Sequence, residues 1–432
     1  MLYHIFLICF ICILVRKNGC KDPPCYPHLD PFWGIDYFIR KMRSLTSGTY
    51  LEDGSSSYKL FKSKTFKSHS FGATIYHTID PEVVKNYQSI FFKHFGIEPL
   101  RYHLAENLWG NGIVVADGQR WSSARSFIRG TFDVVHTANI ERLEYHVGKF
   151  MDLIPRDGGT VDLMPLFKRL ILDTSSEFIF GQSLNALEHP DVSFMDAFEY
   201  AQRGTGLRML LGRLRFLHRD AKWYDACNTV TNFCEERVKE AMGRLKKGEA
   251  RRTEKNRLRL VDEAAKLTTD RYTLRSLILS VFSPAHDGAA VALSNVFFHL
   301  ARHPRRICLE DVVLPCGGGP NGKSPLYFQK GDIIEADYRT MMRDPDFWGP
   351  DSEEFLPERW ESVRPGWEYL PFGGGPRQCP GTRLVFTECA FTTVRILREF
   401  TRLENRDEEV EWREQMRMTW QSKNGTLVGL VG

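Results

Sequence analysis

The 432-residue chain has no stretch that reads as a linker: no Ser/Gly-rich tract and no long block of like charge divides it. One large domain behind a short N-terminal segment is the expected organisation, although length alone admits two or three domains. The chain is also short of net charge. A surplus of +4 is too small to imply nucleic-acid binding and merely permits contact with an acidic partner. A secreted disulfide framework is missing. Cys9 and Cys12 sit in an apolar run, and Cys20, Cys25, Cys227, Cys234, Cys308, Cys316, Cys379 and Cys389 are scattered, without the paired Cys-x-x-Cys sets of a zinc site. What is present is an ordinary globular balance, 42% hydrophobic and 26% charged, enough for a large core.

The run Leu2 to Val15 is apolar apart from His4, and Arg16-Lys17 follow at once. As a helix it rises roughly 21 Å, short of the roughly 30 Å hydrocarbon core. A cleaved leader would need a basic start and a small-residue cleavage site, and neither is present. A buried helix would hardly lead into the loop-like KNGCKDPPCYPHLDP. A signal anchor with Arg16-Lys17 on the cytosolic side fits the positive-inside rule. The expectation is a single-pass protein of the endoplasmic reticulum membrane with its body in the cytosol. Residues 1–17 then form the anchor, 18–40 a proline-rich hinge, and 41–432 the functional domain.

Beyond the hinge, Phe71 to Ile79 reads as a strand, and Asp80-Pro81 opens a helix. From Glu106 to about Lys247 the pattern is mostly helical, with breaks expected at Asp157-Gly158-Gly159 and Gly204. Residues 246–259 form a charged loop, and a long helix is expected from about Thr273 to Arg302, with Pro284 kinking it. Strand-like pieces follow around Leu326-Tyr327-Phe328 and Ile333-Ile334. An irregular Pro/Trp-rich stretch leads to a Gly-rich loop, and a final helix runs from about Pro380 to Phe400. The fold class is mainly α with small β-sheets.

The most informative segment is FGGGPRQCPG, Phe372 to Gly381. Three consecutive glycines permit positive φ and close backbone approach to a flat ligand. Pro380 favours the first position of a helix, which puts Cys379 at a helix N-terminus, where the macrodipole favours a thiolate. Arg377 can reach an anionic group beside such a ligand. A phosphate loop is excluded, because no Gly-Lys-Ser/Thr follows. A buried cysteine capping a helix beside a Gly-rich turn is the plainer alternative. Against it stands a complete Phe-x-x-Gly-x-Arg-x-Cys-x-Gly spacing at Phe372, Gly375, Arg377, Cys379 and Gly381.

That pattern resembles the haem-binding loop of the cytochrome P450 family. Trp121 and Arg125, four apart on one helix face in ADGQRWSSARSFIR, resemble the family's WxxxR pair. Pro357-Glu358-Arg359-Trp360 resembles its meander motif. Several segments, among them DVVLPCGGGPNGKSPLYFQKGD, are similar to fungal fatty-acid and n-alkane hydroxylating members. The resemblance implies haem b, with Cys379 ligating iron, Phe372 packed beside the thiolate, and Arg377 with Trp121 and Arg125 at the propionates. It also implies O₂ activation, oxygen insertion into an aliphatic C–H bond of a lipophilic substrate, and electrons from an NADPH–cytochrome P450 reductase. Pocket walls are expected from Ile113, Val114, Phe282 and Ala285.

Two departures stand out. The family's acid–threonine pair on the helix over the haem is here Asp287-Gly288: the acid is kept as a proton-path candidate, and a water would stand in for the hydroxyl. The second departure is larger. Arg306 runs directly into ICLEDVVLP, whereas the family has two further helices and a Glu-x-x-Arg motif, roughly 70–80 residues, about half a small domain. Glu361 to Arg364 matches that spacing but lies within the meander and reads as coincidence. Arg359 is expected to lack its usual partners. An internal deletion near 306/307 keeps two other readings open. One is an inactive truncated haem protein, from a mis-spliced gene or a shortened allele. The other is a reductase-independent enzyme that rearranges peroxides.

Overall fold

A computed structural model describes residues 17–135, 140–189, 193–248, 259–296, 305–408, 413–416 and 420–432. The chain divides into two units, Met1–Ile97 with Ala301–Cys379, and Glu98–Leu300 with Pro380–Gly432. Helix dominates and the sheets are small, as expected.

The first unit is organised on a five-stranded sheet in the order Thr65–Ser70, Ala73–Thr78, Ile333–Ala336, Arg305–Cys308, Phe95–Gly96. Only part of the strand expected over Phe71 to Ile79 forms. Phe71 and Gly72 take positive φ and turn the chain, so that two strands make an antiparallel hairpin. Phe66, Tyr76, Tyr87, Phe95, Leu314, Phe328 and Ile334 fill the core beside it. The Asp80 carboxylate accepts from the Glu82 and Val83 amides, with Pro81 in the first turn, which is why a helix starts there. The proline-rich segment is tied to this unit by main-chain bonds: Tyr26 N–H donates to the Lys67 carbonyl at 2.8 Å and Lys21 N–H to the Pro325 carbonyl at 3.0 Å. The 306/307 junction falls inside the sheet. Arg306 pairs with Ile334, and Ile307 with both Ile333 and Gly96.

The second unit is a helical body. Leu163–Phe180 is buried on nearly every side, the pattern of a central helix. Its Asp173 carboxylate accepts the Ala186 and Leu187 amides at 2.7 and 3.0 Å. The long helix spans Arg271–Val296 and runs through Pro284; its expected continuation to Arg302 lies outside the described residues. Phe282 is fully buried, with ring centroids 5.3 Å from Phe180 and from Phe198, so it is a core residue and not a pocket wall. A three-stranded sheet joins Asp157–Asp162, Leu427–Val431 and Arg402–Asn405.

Two expected breaks are different in kind. Asp157 to Gly159 begins a strand. Gly204 lies inside the helix Ser193–Leu211, where a Cβ would stand 2.1 Å from the Trp223 indole. Close approach, not chain breaking, explains that glycine. The last helix, Thr382–Glu399, buries Leu384, Glu388, Thr392 and Ile396 and leaves Phe386, Val394 and Leu397 exposed on another face.

The single-pass membrane expectation is corrected. Among the described residues no helix is long and apolar enough to cross a membrane. The apolar run at residues 2–15, already short for a span, lies outside the described residues.

Two outcomes follow from this packing. Gly204→Ala drives a methyl into the buried Trp223 ring and costs about 1–3 kcal/mol. The thermal midpoint of the variant should fall, and an unchanged midpoint would show that the indole yields freely. Glu388 is buried, and burial pushes its carboxyl up to about 7 despite a hydrogen bond from Thr174. The folded chain therefore holds a proton that the unfolded chain releases above its ordinary value of 4.5. This contribution to stability is fully present below about pH 4.5 and is lost as pH rises through about 7. Thermal midpoints across that window should decline less steeply for Glu388→Gln; identical slopes would contradict the assignment.

Candidate functional site

The loop from Phe372 to Cys379 is closed by its own main chain. Cys379 N–H donates to the Phe372 carbonyl at 3.0 Å, Gln378 N–H to the Gly375 carbonyl at 3.0 Å, and Gly373 N–H to the Leu370 carbonyl at 3.1 Å. Gly373 and Gly375 both take positive φ, 72° and 67°. The structure thus brings Phe372, Gly375, Arg377 and Cys379 together in one tight turn. The helix after it begins later than expected, at Thr382 with Gly381 as cap. Cys379 stands two residues before that cap, which weakens the dipole argument, since the effect is confined to the first turn.

The glycines serve a purpose other than ligand approach alone. A Cβ on Gly374 would lie 2.5 Å from the Trp367 ring, and one on Gly375 2.0 Å from the Gln88 carbonyl oxygen. The loop is pressed against the protein on both residues.

The Gln88 contact was missed in the sequence. Gln88 is fully buried in a widened π turn, Asn86–Ile90, closed by Phe91 N–H donating to the Asn86 carbonyl at 2.8 Å. Its Oε1 accepts from the Gly374 amide at 3.2 Å. Its Nε2 donates to the Tyr87 hydroxyl at 2.8 Å and the Tyr338 hydroxyl at 2.5 Å. Just beyond the turn, the Phe92 ring has the Arg377 and Arg306 guanidinium groups each 5.9 Å from its centroid. Only the π turn itself, a feature that favours functional sites, hints at this in structure, and nothing in the local sequence announces it.

Arg359 does not stand alone. It donates to the Trp348 carbonyl at 2.6 Å, to Asp351 Oδ1 at 2.7 Å and to the Asp351 carbonyl at 2.8 Å. A local partner eight residues upstream supplies the counter-charge expected to be missing. Arg364 instead bonds the Trp360 carbonyl.

In the second unit, Trp121 and Arg125 lie half-buried on the helix Gly118–Val135. Ile113 and Val114 pack at the edge of that unit's core. Asp287 and Gly288 fall on the backbone of the long helix, but their side chains lie outside the described ones.

Among the described cysteines, Cys379 has the chemistry of a ligand donor. It is exposed, as is Cys25, which lies in the proline-rich segment, whereas Cys227, Cys234, Cys308 and Cys389 are buried. Burial pushes the thiols of Cys227, Cys308 and Cys389 up to about 12 and that of Cys316 to about 11, which disfavours each as an anionic ligand. The residues of the loop fit a haem held through one thiolate.

A mainly helical fold with small sheets and a closed Gly-rich loop ending in an exposed cysteine marks the haem-thiolate class of enzyme. The chain belongs to the cytochrome P450 family, which it matches over residues 65–309 and 321–428. It is 31% identical to the cytochrome P450 monooxygenase iccC of Talaromyces variabilis, over 96% of this chain and 93% of that one. It is 31% identical to fumoA of Cordyceps fumosorosea over 95% and 91%, and 30% identical to tenA of Beauveria bassiana over 99% and 97%. Both are likewise named cytochrome P450 monooxygenases. This is therefore an enzyme of the P450 monooxygenase type, and the cofactor of the family is haem. The relatives' names state no substrate, so they carry nothing for the fatty-acid and alkane branch in particular.

The comparison with the Talaromyces protein runs over 474 positions, while 96% of this chain supplies roughly 415 residues. About sixty positions thus have no counterpart in this chain. The family match is interrupted only between 309 and 321, just after Arg306.

Proposed function

We propose that this chain inserts one oxygen atom from O₂ into an aliphatic C–H bond of a lipophilic small molecule, a fatty acid or n-alkane, using electrons from NADPH through a flavoprotein reductase. The observation that carries the reading is the exposed Cys379 thiol at the end of a main-chain-closed loop. Haem, when bound, supplies the activation of O₂ and the oxygen insertion. Cys379 would hold its iron through the sulphur, with Phe372 packed beside that sulphur and Gly375 and Gly381 keeping the loop slim. Arg377 and Arg125 would pair with the propionates, and the Trp121 indole N–H would donate a hydrogen bond to one. Asp287 would hold the proton to be delivered, and a water would occupy the space that Gly288 leaves open. Ile113 and Val114 would offer the substrate an apolar wall.

A second reading is that a segment of the family is deleted at 306/307 and haem is retained weakly. The interrupted family match and the sixty uncounterparted positions favour it. It concerns how much of the chain is active, not what the chemistry is.

Reconstitution with haem, reductase and NADPH under ¹⁸O₂ should convert a fatty acid or alkane to an alcohol carrying one labelled oxygen. The reduced carbon monoxide complex should absorb at the thiolate-ligated Soret position. Cys379→Ser should abolish that band and the labelled product. A band that survives the substitution would overturn the ligand, and unlabelled product formed from a hydroperoxide without NADPH would overturn the reaction.

A further inference from the structure

We propose that Gln88 is the positioning residue of the cysteine loop, fixing the loop from beneath through its side chain and its main chain at once. The inference rests on the reading of Phe372–Cys379 as the cofactor loop and adds a residue that no motif assigns to it.

The geometry is specific. A glutamine amide offers one acceptor oxygen and two N–H donors. At Gln88 the oxygen holds the Gly374 amide, and the nitrogen reaches the hydroxyls of Tyr87 and Tyr338. The Gly374 amide, which can only donate, fixes which way the Gln88 amide faces, and the nitrogen is left toward the two tyrosine hydroxyls, which accept from it. The oxygen is thereby committed to Gly374. One residue further along the loop, Gly375 lies so close to the Gln88 carbonyl that no side chain fits between them. Consecutive loop residues are thus located by one residue, the first through a hydrogen bond and the second through contact.

The rigidity of the support matters as much as its bonds. Gln88, Tyr87 and Tyr338 are all buried, at 0%, 0% and 3% exposure. An unpaired amide in such a place is costly, so the arrangement resists alternatives. The widened turn Asn86–Ile90 carries Gln88, and Tyr338 opens the single helical turn that follows the strand Ile333–Ala336. The loop is therefore referred to the sheet of the first unit through Tyr338. A ligand shell held by buried second partners keeps its geometry, whereas one held by its own loop alone drifts.

Three variants of the full-length chain test this. Gln88→Leu removes the bonds while keeping size. Tyr338→Phe removes one of the two anchors and keeps Gln88. Leu326→Ala, in the core of the same unit, lowers stability without touching the loop. Peptide-resolved hydrogen exchange of the haem-free chain should show amides 373–379 exchanging at least tenfold faster in Gln88→Leu, with a smaller increase in Tyr338→Phe. The strands at 65–78 should be unchanged in both. In haem-loaded chain, the fraction of reduced carbon monoxide complex at the thiolate position should fall at least threefold in Gln88→Leu. Leu326→Ala should lower the thermal midpoint and leave both readouts alone. Loop exchange unchanged in Gln88→Leu, or raised equally by Leu326→Ala, overturns the proposal. If Gln88→Leu fails to fold, unchanged loop exchange in Tyr338→Phe does so. If the wild-type chain shows no thiolate band, the cofactor reading fails, while the exchange measurement still decides the role of Gln88.

Discussion

The exclusion of side chains between the cysteine loop and the turn beneath it is the constraint on which the site depends. With Gly375 against the Gln88 carbonyl and Gly374 against Trp367, the loop has one seat. The bond from Cys379 N–H to the Phe372 carbonyl then fixes where the thiol emerges. Two parts of the first unit support that seat. The five-stranded sheet carries Tyr338 to it, and the stretch Asp344 to Pro371 brings Trp367 and Leu370 against the same core. Cys379 is exposed at the end of this loop, whereas desolvation raises the buried Cys227, Cys308 and Cys389 thiols and disfavours their anions.

The 306/307 junction bears on this support. A strand occupies Arg305–Cys308 and pairs on both sides, so the sheet runs unbroken across that junction. Arg359 is paired with the Asp351 carboxylate and also donates to the Trp348 and Asp351 carbonyls. In the second unit, Phe386, Val394 and Leu397 remain exposed on the last helix. A local rescue of charge is easy because one carboxylate eight residues away suffices. Covering apolar surface takes whole elements.

The pattern of residues in Phe372–Gly381 was enough to name the loop and its family, because its chemistry sits within ten consecutive positions. The long helix was legible because its apolar spacing is long and regular. Legibility failed where a distant partner decides. Gly204 reads as a break, but is a seat for Trp223. Phe282 reads as a pocket wall, but closes an aromatic core with Phe180 and Phe198. The strand beginning at Asp157 looks like a Gly-Gly turn until Leu427–Val431 pairs with it. Gln88 lies 286 positions from Gly374, and no local pattern connects them. Helix starts were also placed early, at Pro380 in place of Thr382, because proline and cap signals locate a terminus only to within a residue or two.

The central claim is that this fold presents one cysteine sulphur to haem iron. Iron K-edge X-ray absorption of the haem-loaded chain tests it most directly, because it reports the atoms bound to the metal without reference to turnover. The account predicts a single sulphur in the first shell of ferric iron, alongside the four porphyrin nitrogens. A first shell of nitrogen and oxygen alone would contradict it.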